Sequence, residues 1–324
     1  MRLFSLPPFF IGCLLFFGAI TPQSPARQAF EEDFESQRTF RLLGGPSREG
    51  PEAQWQRVQD FAERGRRRTA IRHARYLVET WPDHPRAPES LRLISDLQTE
   101  RGNYALAFDA LQRLIDGYAG MFDYNEVLSL QLNLAERLEQ RTVRALFGTF
   151  NDPSEAIPLF RQLVTNAPHA PETPEWIFRI GQIHLQRRNF EEAIQEFDLL
   201  EQRYPTHPLA EQAAIRRAET FARLARRHPT DAAAQQSAWQ AFMFVLEAYP
   251  ATEARETVEQ EATTFLNRLA GMRYEQARFY QENMRRPDAA LVAFRSLVQQ
   301  FPESEWAGPA QKRVQALQPA PEHP

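Results

Sequence analysis

Residues 190–205 read Phe-Glu-Glu-Ala-Ile-Gln-Glu-Phe-Asp-Leu-Leu-Glu-Gln-Arg-Tyr-Pro. Ala193 and Phe197 stand one helical turn apart and so share a face. Pro205 ends the segment, because proline lacks the amide hydrogen and its ring clashes with the preceding turn. The same spelling returns along the chain. Ala70, Ala107, Ala156, Ala238 and Ala290 are each followed four positions later by an apolar residue, namely Ala74, Leu111, Phe160, Phe242 and Phe294. Twelve positions after the alanines come Pro82, Ala119, Pro168, Pro250 and Pro302. An aromatic precedes the breaker at Trp81, Tyr118, Tyr204, Tyr249 and Phe301, and Ala167 takes its place once.

Close packing explains the pattern. A small alanine lets the second helix of a hairpin, helix B, approach the first, helix A, and the apolar residue one turn later fills the space between them. The aromatic at the end of helix B is expected to wedge against the next hairpin. From about Pro51 to Leu317 the apolar residues keep helical spacing, with no convincing alternating strand. The alanine-to-alanine steps are 37, 49, 37, 45 and 52 residues, at or above the ~34 of a tetratricopeptide repeat. The expected fold is therefore all-α: a tetratricopeptide-repeat superhelix of about six helical hairpins, a right-handed solenoid over 51–320.

Composition narrows the function. The chain has 324 residues, 43% of them hydrophobic and 25% charged, with 38 basic against 42 acidic side chains and a net charge of −4. That balance disfavours nucleic acid as a main partner, since phosphate binding needs a basic excess. Lys312 is the single lysine, so P-loop and Schiff-base chemistries have no residue to use. Cys13 is the single cysteine, which excludes a disulfide framework and a cysteine metal cluster.

The first residues read as an export signal. Arg2 precedes an apolar stretch from Leu3 to Ile20, and Ser24-Pro25-Ala26 offers a cleavage site before Arg27. Residues 1–26 are the expected leader and 27–50, with Glu31-Glu32-Asp33 and Gly44-Gly45-Pro46-Ser47, a polar linker. Cys13 has two readings. Phe10-Ile11-Gly12-Cys13 looks like a lipobox whose cysteine carries lipid, or Cys13 is removed with a leader whose apolar run continues through Leu14-Leu15-Phe16-Phe17.

The C-terminal part resembles a family. Tyr204-Pro-Thr-His-Pro208, Tyr249-Pro250, Arg268-Leu-Ala270, Tyr274, Ala277-Arg-Phe-Tyr280, Ala289-Ala290, Phe294-Arg-Ser-Leu-Val298 and Phe301-Pro-Glu-Ser304 together look like BamD, a family also called ComL or YfiO. The resemblance covers 174–317, and more loosely 51–120. It implies an outer-membrane lipoprotein of about five tetratricopeptide repeats, one fewer than counted here, that scaffolds β-barrel assembly in the periplasm. It implies two kinds of partner: unfolded outer-membrane protein segments on the N-terminal repeats, and periplasmic POTRA domains of the central barrel protein on the C-terminal ones. A general periplasmic repeat adaptor, similar to the TolA-binding cell-division coordinators, is the alternative.

The sequence offers no catalytic, cofactor or metal motif, and no small-molecule substrate is expected. The seven histidines include no pair at metal-binding helical spacing. His84, His169 and His207 follow the helix-B breakers, where polar turn residues cap the next helix, and His184 reads as a packed histidine. Arg64, Arg66, Arg67, Arg68, Arg72 and Arg75 form a basic cluster, read either as the solvated outer face of the first hairpin or as a contact for anionic headgroups or an acidic partner. Helix-A register places Glu89, Arg92 and Asp96, and then Phe178, Gln182 and Gln186, on the concave recognition face of the solenoid. Ile177, Ile180, Gly181 and His184 make the expected buried stripe beside them. Phe178 then either stands exposed for an extended peptide or packs on a neighbouring hairpin.

Overall fold

The computed structural model describes residues 50–145 and 148–318. The expected leader, Cys13 and the linker as far as residue 49 lie outside the described residues.

The chain divides into two compact units, with the boundary between Tyr118 and Ala119. The first holds α1 (Pro51–Glu63), α2 (Arg67–Thr80), α3 (Arg86–Glu100) and α4 (Tyr104–Gly117). The second holds α5 (Tyr124–Glu139), α6 (Ile157–Asn166), α7 (Thr173–Gln186), α8 (Phe190–Arg203), α9 (Pro208–Arg227), α10 (Ala232–Ala248), α11 (Arg255–Glu282), α12 (Pro287–Gln300) and α13 (Ala307–Leu317). Within each unit every helix packs on the one before it. Helices α1 to α12 thus pair as six hairpins, and α13 covers the last.

The alanine pattern is the packing register. Ala70, Ala107, Ala156, Ala193, Ala238 and Ala290 are each 0% exposed, and the apolar residues four positions later are buried as well. Gly181 in α7 shows how close the helices come: a Cβ there would lie 2.6 Å from Cε1 of Phe197 on α8. Glycine and the Ala193–Phe197 pair are thus two sides of one contact.

The breakers set one repeated turn. Trp81, Tyr118, Ala167, Tyr204, Tyr249 and Phe301 all terminate their helices, with φ between −133° and −127°. A following proline disfavours the helical region for the residue before it. After five of the six, a tight turn forms: the amides of His84, Ala170, His207, Thr252 and Ser304 donate to the carbonyls of Trp81, Ala167, Tyr204, Tyr249 and Phe301. Helix A of the next hairpin, or α13 after the last, starts directly from that turn. The sixth breaker is Ala119, not proline, and there the two units divide.

Four details differ from the sequence expectation. Residues 142–151 contain a two-stranded antiparallel hairpin, β1 (Thr142–Ala145) and β2 (Gly148–Asn151), with Thr142 opposite Asn151; strands of four residues are too short for alternation to stand out. Ala156 sits in a 3₁₀ turn, Pro153–Ala156, just before α6, because Asp152 caps Ser154 there and Pro153 begins the turn. Arg75 is buried at 2% exposure and is not part of a solvated face. Its helix, α2, is covered by α1 on one side and α3 on the other, so its buried face is wider than one stripe. The terminal aromatic Tyr204 also reaches backwards: it packs on the cluster that takes in Ala210 and Ala213 of α9, but its hydroxyl donates to the carbonyl of Pro168, 2.6 Å away, in the turn that precedes its own hairpin.

Three A-to-B loops share one conformation. Gly65, Gly102 and Arg188 all take positive φ, at 68°, 74° and 61°, and the residue after each donates back across the helix end to Phe61, Gln98 and His184. This is the glycine-favoured C-terminal cap, and Arg188 fills it with a side chain that resists that backbone region.

Two substitutions test these statements in opposite directions. Ala193→Leu overpacks the α7–α8 contact and is expected to destabilise by ~1–3 kcal/mol. Arg188→Gly relieves the left-handed strain and is expected to stabilise by roughly 0.5–1 kcal/mol. Urea unfolding midpoints of the two variants against the parent check both signs.

Candidate partner-binding surface

The expected groove residues fall in two places. Glu89, Arg92 and Asp96 lie on α3 in the first unit; Phe178, Gln182 and Gln186 lie on α7 in the second. On α3, Glu89 and Asp96 are exposed and Arg92 is half-buried. Glu89 accepts from Arg86 Nη1 at 2.6 Å, and Arg92 Nε lies 3.9 Å from Asp96. This row is a charged surface.

On α7, Gln182 is half-buried and Gln186 exposed, but Phe178 is only 9% exposed. Its ring lies 5.5 Å from that of Phe197. Phe178 is therefore a core residue and not an exposed groove aromatic. The expected stripe of Ile177, Ile180, Gly181 and His184 is buried too. As with Arg75, an inner helix of a stacked array is covered by neighbours on both sides, so a single stripe understates what it buries.

Arginines tie successive layers of the second unit. Arg179 on α7 reaches Glu136 at 2.9 Å and Glu139 at 2.6 Å on α5, with its guanidinium 5.2 Å from the ring of Phe160. Arg161 on α6 meets Glu196 on α8 at 2.6 Å. Arg217 on α9 forks onto Glu201 of α8, with Nε and Nη2 donating at 2.8 Å and 2.9 Å. Arg226 on α9 pairs with Glu261 on α11. Planar guanidinium is suited to both halves of this arrangement, forking onto a carboxylate and stacking on a ring.

Burial shapes the titration of three groups. It pushes the Glu201 carboxyl up, against the pull of Arg217, and the Glu139 carboxyl up, against the pull of Arg179. His184 is pushed down, first by burial and then by the Arg161 charge, and is held as a neutral packed ring. Two of the three histidines expected to cap do so: His207 Nδ1 accepts from the Leu209 amide at 3.2 Å and His84 Nδ1 from the Arg86 amide at 3.3 Å, whereas α7, which follows His169, starts with no side-chain cap. His169 is exposed.

One feature of the second unit carried no signal in the repeat pattern. An open pocket of about 440 Å³ lies between α8, α9 and α10, lined by Asp198, Glu201, Arg217, Phe221, Gln240 and Phe244 among others. Phe244 is 41% exposed. It stands six positions after Ala238, off the core register, and an aromatic at such a position is the mark that could have revealed it. Among the described residues no His, Cys, Asp and Glu gather into a group able to hold a metal, and no helix is long and apolar enough to cross a membrane.

The buried alanines, proline-ended hairpins and stacked helix pairs define a tetratricopeptide-repeat protein. Residues 56–122 match the family described as a tetratricopeptide repeat. Residues 171–320 match the YfiO family, described as an outer membrane lipoprotein, and that stretch takes in α7 to α13. None of the curated proteins matches the chain. Among solved structures, the chain is similar to the C-terminal part of a TPR repeat-containing protein from Cytophaga hutchinsonii, at 15% identity over 88% of this chain and 97% of that one, with a TM-score of 0.30. It is also similar to a tetratricopeptide repeat protein from Parabacteroides merdae, at 14% identity over 82% and 98%, TM-score 0.26, and to PilF of Pseudomonas aeruginosa, at 15% identity over 81% and 96%, TM-score 0.29. With scores this low, the fold rests on the chain's own helices and on the two family matches.

Phe178→Ser separates a core from a groove. A buried phenylalanine removed in this way is expected to destabilise by roughly 3 kcal/mol or more. A thermal midpoint equal to the parent's would return Phe178 to the surface.

Proposed function

We propose that the chain is a scaffold of outer-membrane β-barrel protein assembly, acting on the periplasmic side of the outer membrane. Its repeat surfaces bind unfolded barrel precursors and the periplasmic POTRA domains of the central barrel protein. The carrying observation is the match of residues 171–320 to the outer membrane lipoprotein family, over helices that carry the aromatic-proline ends Tyr204-Pro205, Tyr249-Pro250 and Phe301-Pro302. Stacked hairpins suit the task, since each adds side chains from two helices to a surface held rigid by buried alanine contacts. Attachment to the membrane runs through lipid on Cys13 or through the complex itself.

The second reading, a general periplasmic adaptor of the TolA-binding kind, draws on residues 56–122, which match the tetratricopeptide repeat at large and not the outer membrane lipoprotein family. Affinity purification from crosslinked cell envelopes distinguishes the two. Recovery of the central barrel-assembly protein is the expected outcome. Its absence, under conditions that recover other envelope neighbours, would favour the adaptor.

A further inference from the structure

The pocket between α8, α9 and α10 has more acid than base. Two carboxylates, Asp198 and Glu201, share it with a single guanidinium, that of Arg217. Glu201 is satisfied: both its oxygens accept from Arg217. Asp198 is not in the same position. One of its oxygens, Oδ2, accepts from Gln202 Nε2 at 2.6 Å, which fixes the direction of the carboxylate. The other, Oδ1, lies 3.6 Å from Arg217 Nη1, beyond hydrogen-bond range, and the side chain is 43% exposed. Asp198 is thus ion-paired with Arg217 at a longer distance than Glu201 is, and its half-exposed carboxylate keeps lone pairs to spare.

The walls are aromatic. Phe221 is half-buried and Phe244 is exposed, with Arg217 Cζ 5.1 Å from its ring centre. The position of Arg217 shows that this ring accepts a guanidinium. An anionic guest would meet Asp198 and Glu201 head-on. A purely apolar guest would strip water from Asp198 and return no partner. A cation on a methylene stem meets both demands, pairing with Asp198 while its stem lies on the rings. Gln202, Ser237 and Gln240 also line the pocket and bring polar groups able to bond a main chain.

We propose that this pocket receives one arginine or lysine side chain from an extended segment of a protein partner. The proposal rests on the reading of the chain as a protein-binding scaffold and names the chemistry that one of its surfaces selects.

The test uses the purified full chain and four labelled synthetic peptides, Gly-Ser-Phe-Xaa-Phe-Ser-Gly, with Xaa arginine, lysine, glutamine or glutamate. Fluorescence polarisation is expected to show the arginine and lysine peptides binding about tenfold or more tightly than the other two. Asp198→Asn should bring the arginine peptide down to the level of the glutamine one. Phe244→Ser, at an exposed position, should weaken the arginine peptide while the thermal midpoint stays that of the parent, and it decides the matter if the Asp198 variant folds poorly. Equal binding of all four peptides, no binding of any, preference for glutamate, or unchanged arginine-peptide binding in the variants would overturn the proposal. Its failure is separable from that of the scaffold reading, which falls only if the wild-type chain captures no barrel-assembly partner from crosslinked envelopes.

Discussion

Two helices can touch backbone to backbone only where one of them presents almost no side chain. In this chain that place is marked six times by an alanine with no exposed surface, and the rest of the architecture follows from it. The apolar residue one turn later fills the crevice the close approach opens. The aromatic at the helix end and the proline beyond it fix where helix B stops, and the turn they form hands the chain to the next helix. At Phe197 even the facing helix has given up its side chain, at Gly181. Buried methyl and ring atoms thus set the geometry, and charge decorates it.

The basic side chains are almost wholly arginine, Lys312 being the exception. Arg161, Arg179, Arg217 and Arg226 each join a helix to one in a neighbouring position of the stack, and three of the four also lie over an aromatic ring. Lysine could supply the charge but not the fork or the flat face. The exposed pairs add little stability singly, and in the buried Arg217–Glu201 pair desolvation offsets much of the attraction. Their greater effect is to hold layers in register, which a surface meant to recognise a partner requires.

The hairpins were legible in the sequence because their signal is periodic and local: alanine, apolar residue, aromatic and proline at fixed offsets. Capping by His84 and His207 was legible for the same reason, since turn chemistry is decided within three residues. What was not legible depends on neighbours far along the chain. Arg75 and Phe178 lie on helices covered from two sides, and a single hydrophobic stripe describes burial against one neighbour only. The hairpin at 142–151 is too short to show alternation. The backward reach of Tyr204 to Pro168 depends on where the preceding turn lies in space. The acidic pocket gathers residues from three helices, Asp198, Arg217 and Phe244, whose spacing in the chain carries no motif.

The central claim is that the alanine-to-proline register sets every helix-B end. Amide hydrogen exchange read residue by residue tests it most directly. The account predicts six slowly exchanging stretches that end at Trp81, Tyr118, Ala167, Tyr204, Tyr249 and Phe301, each followed by a break before protection resumes. Slow exchange that stops several residues short of these positions, or protection absent from the helix after Ala156, would contradict it.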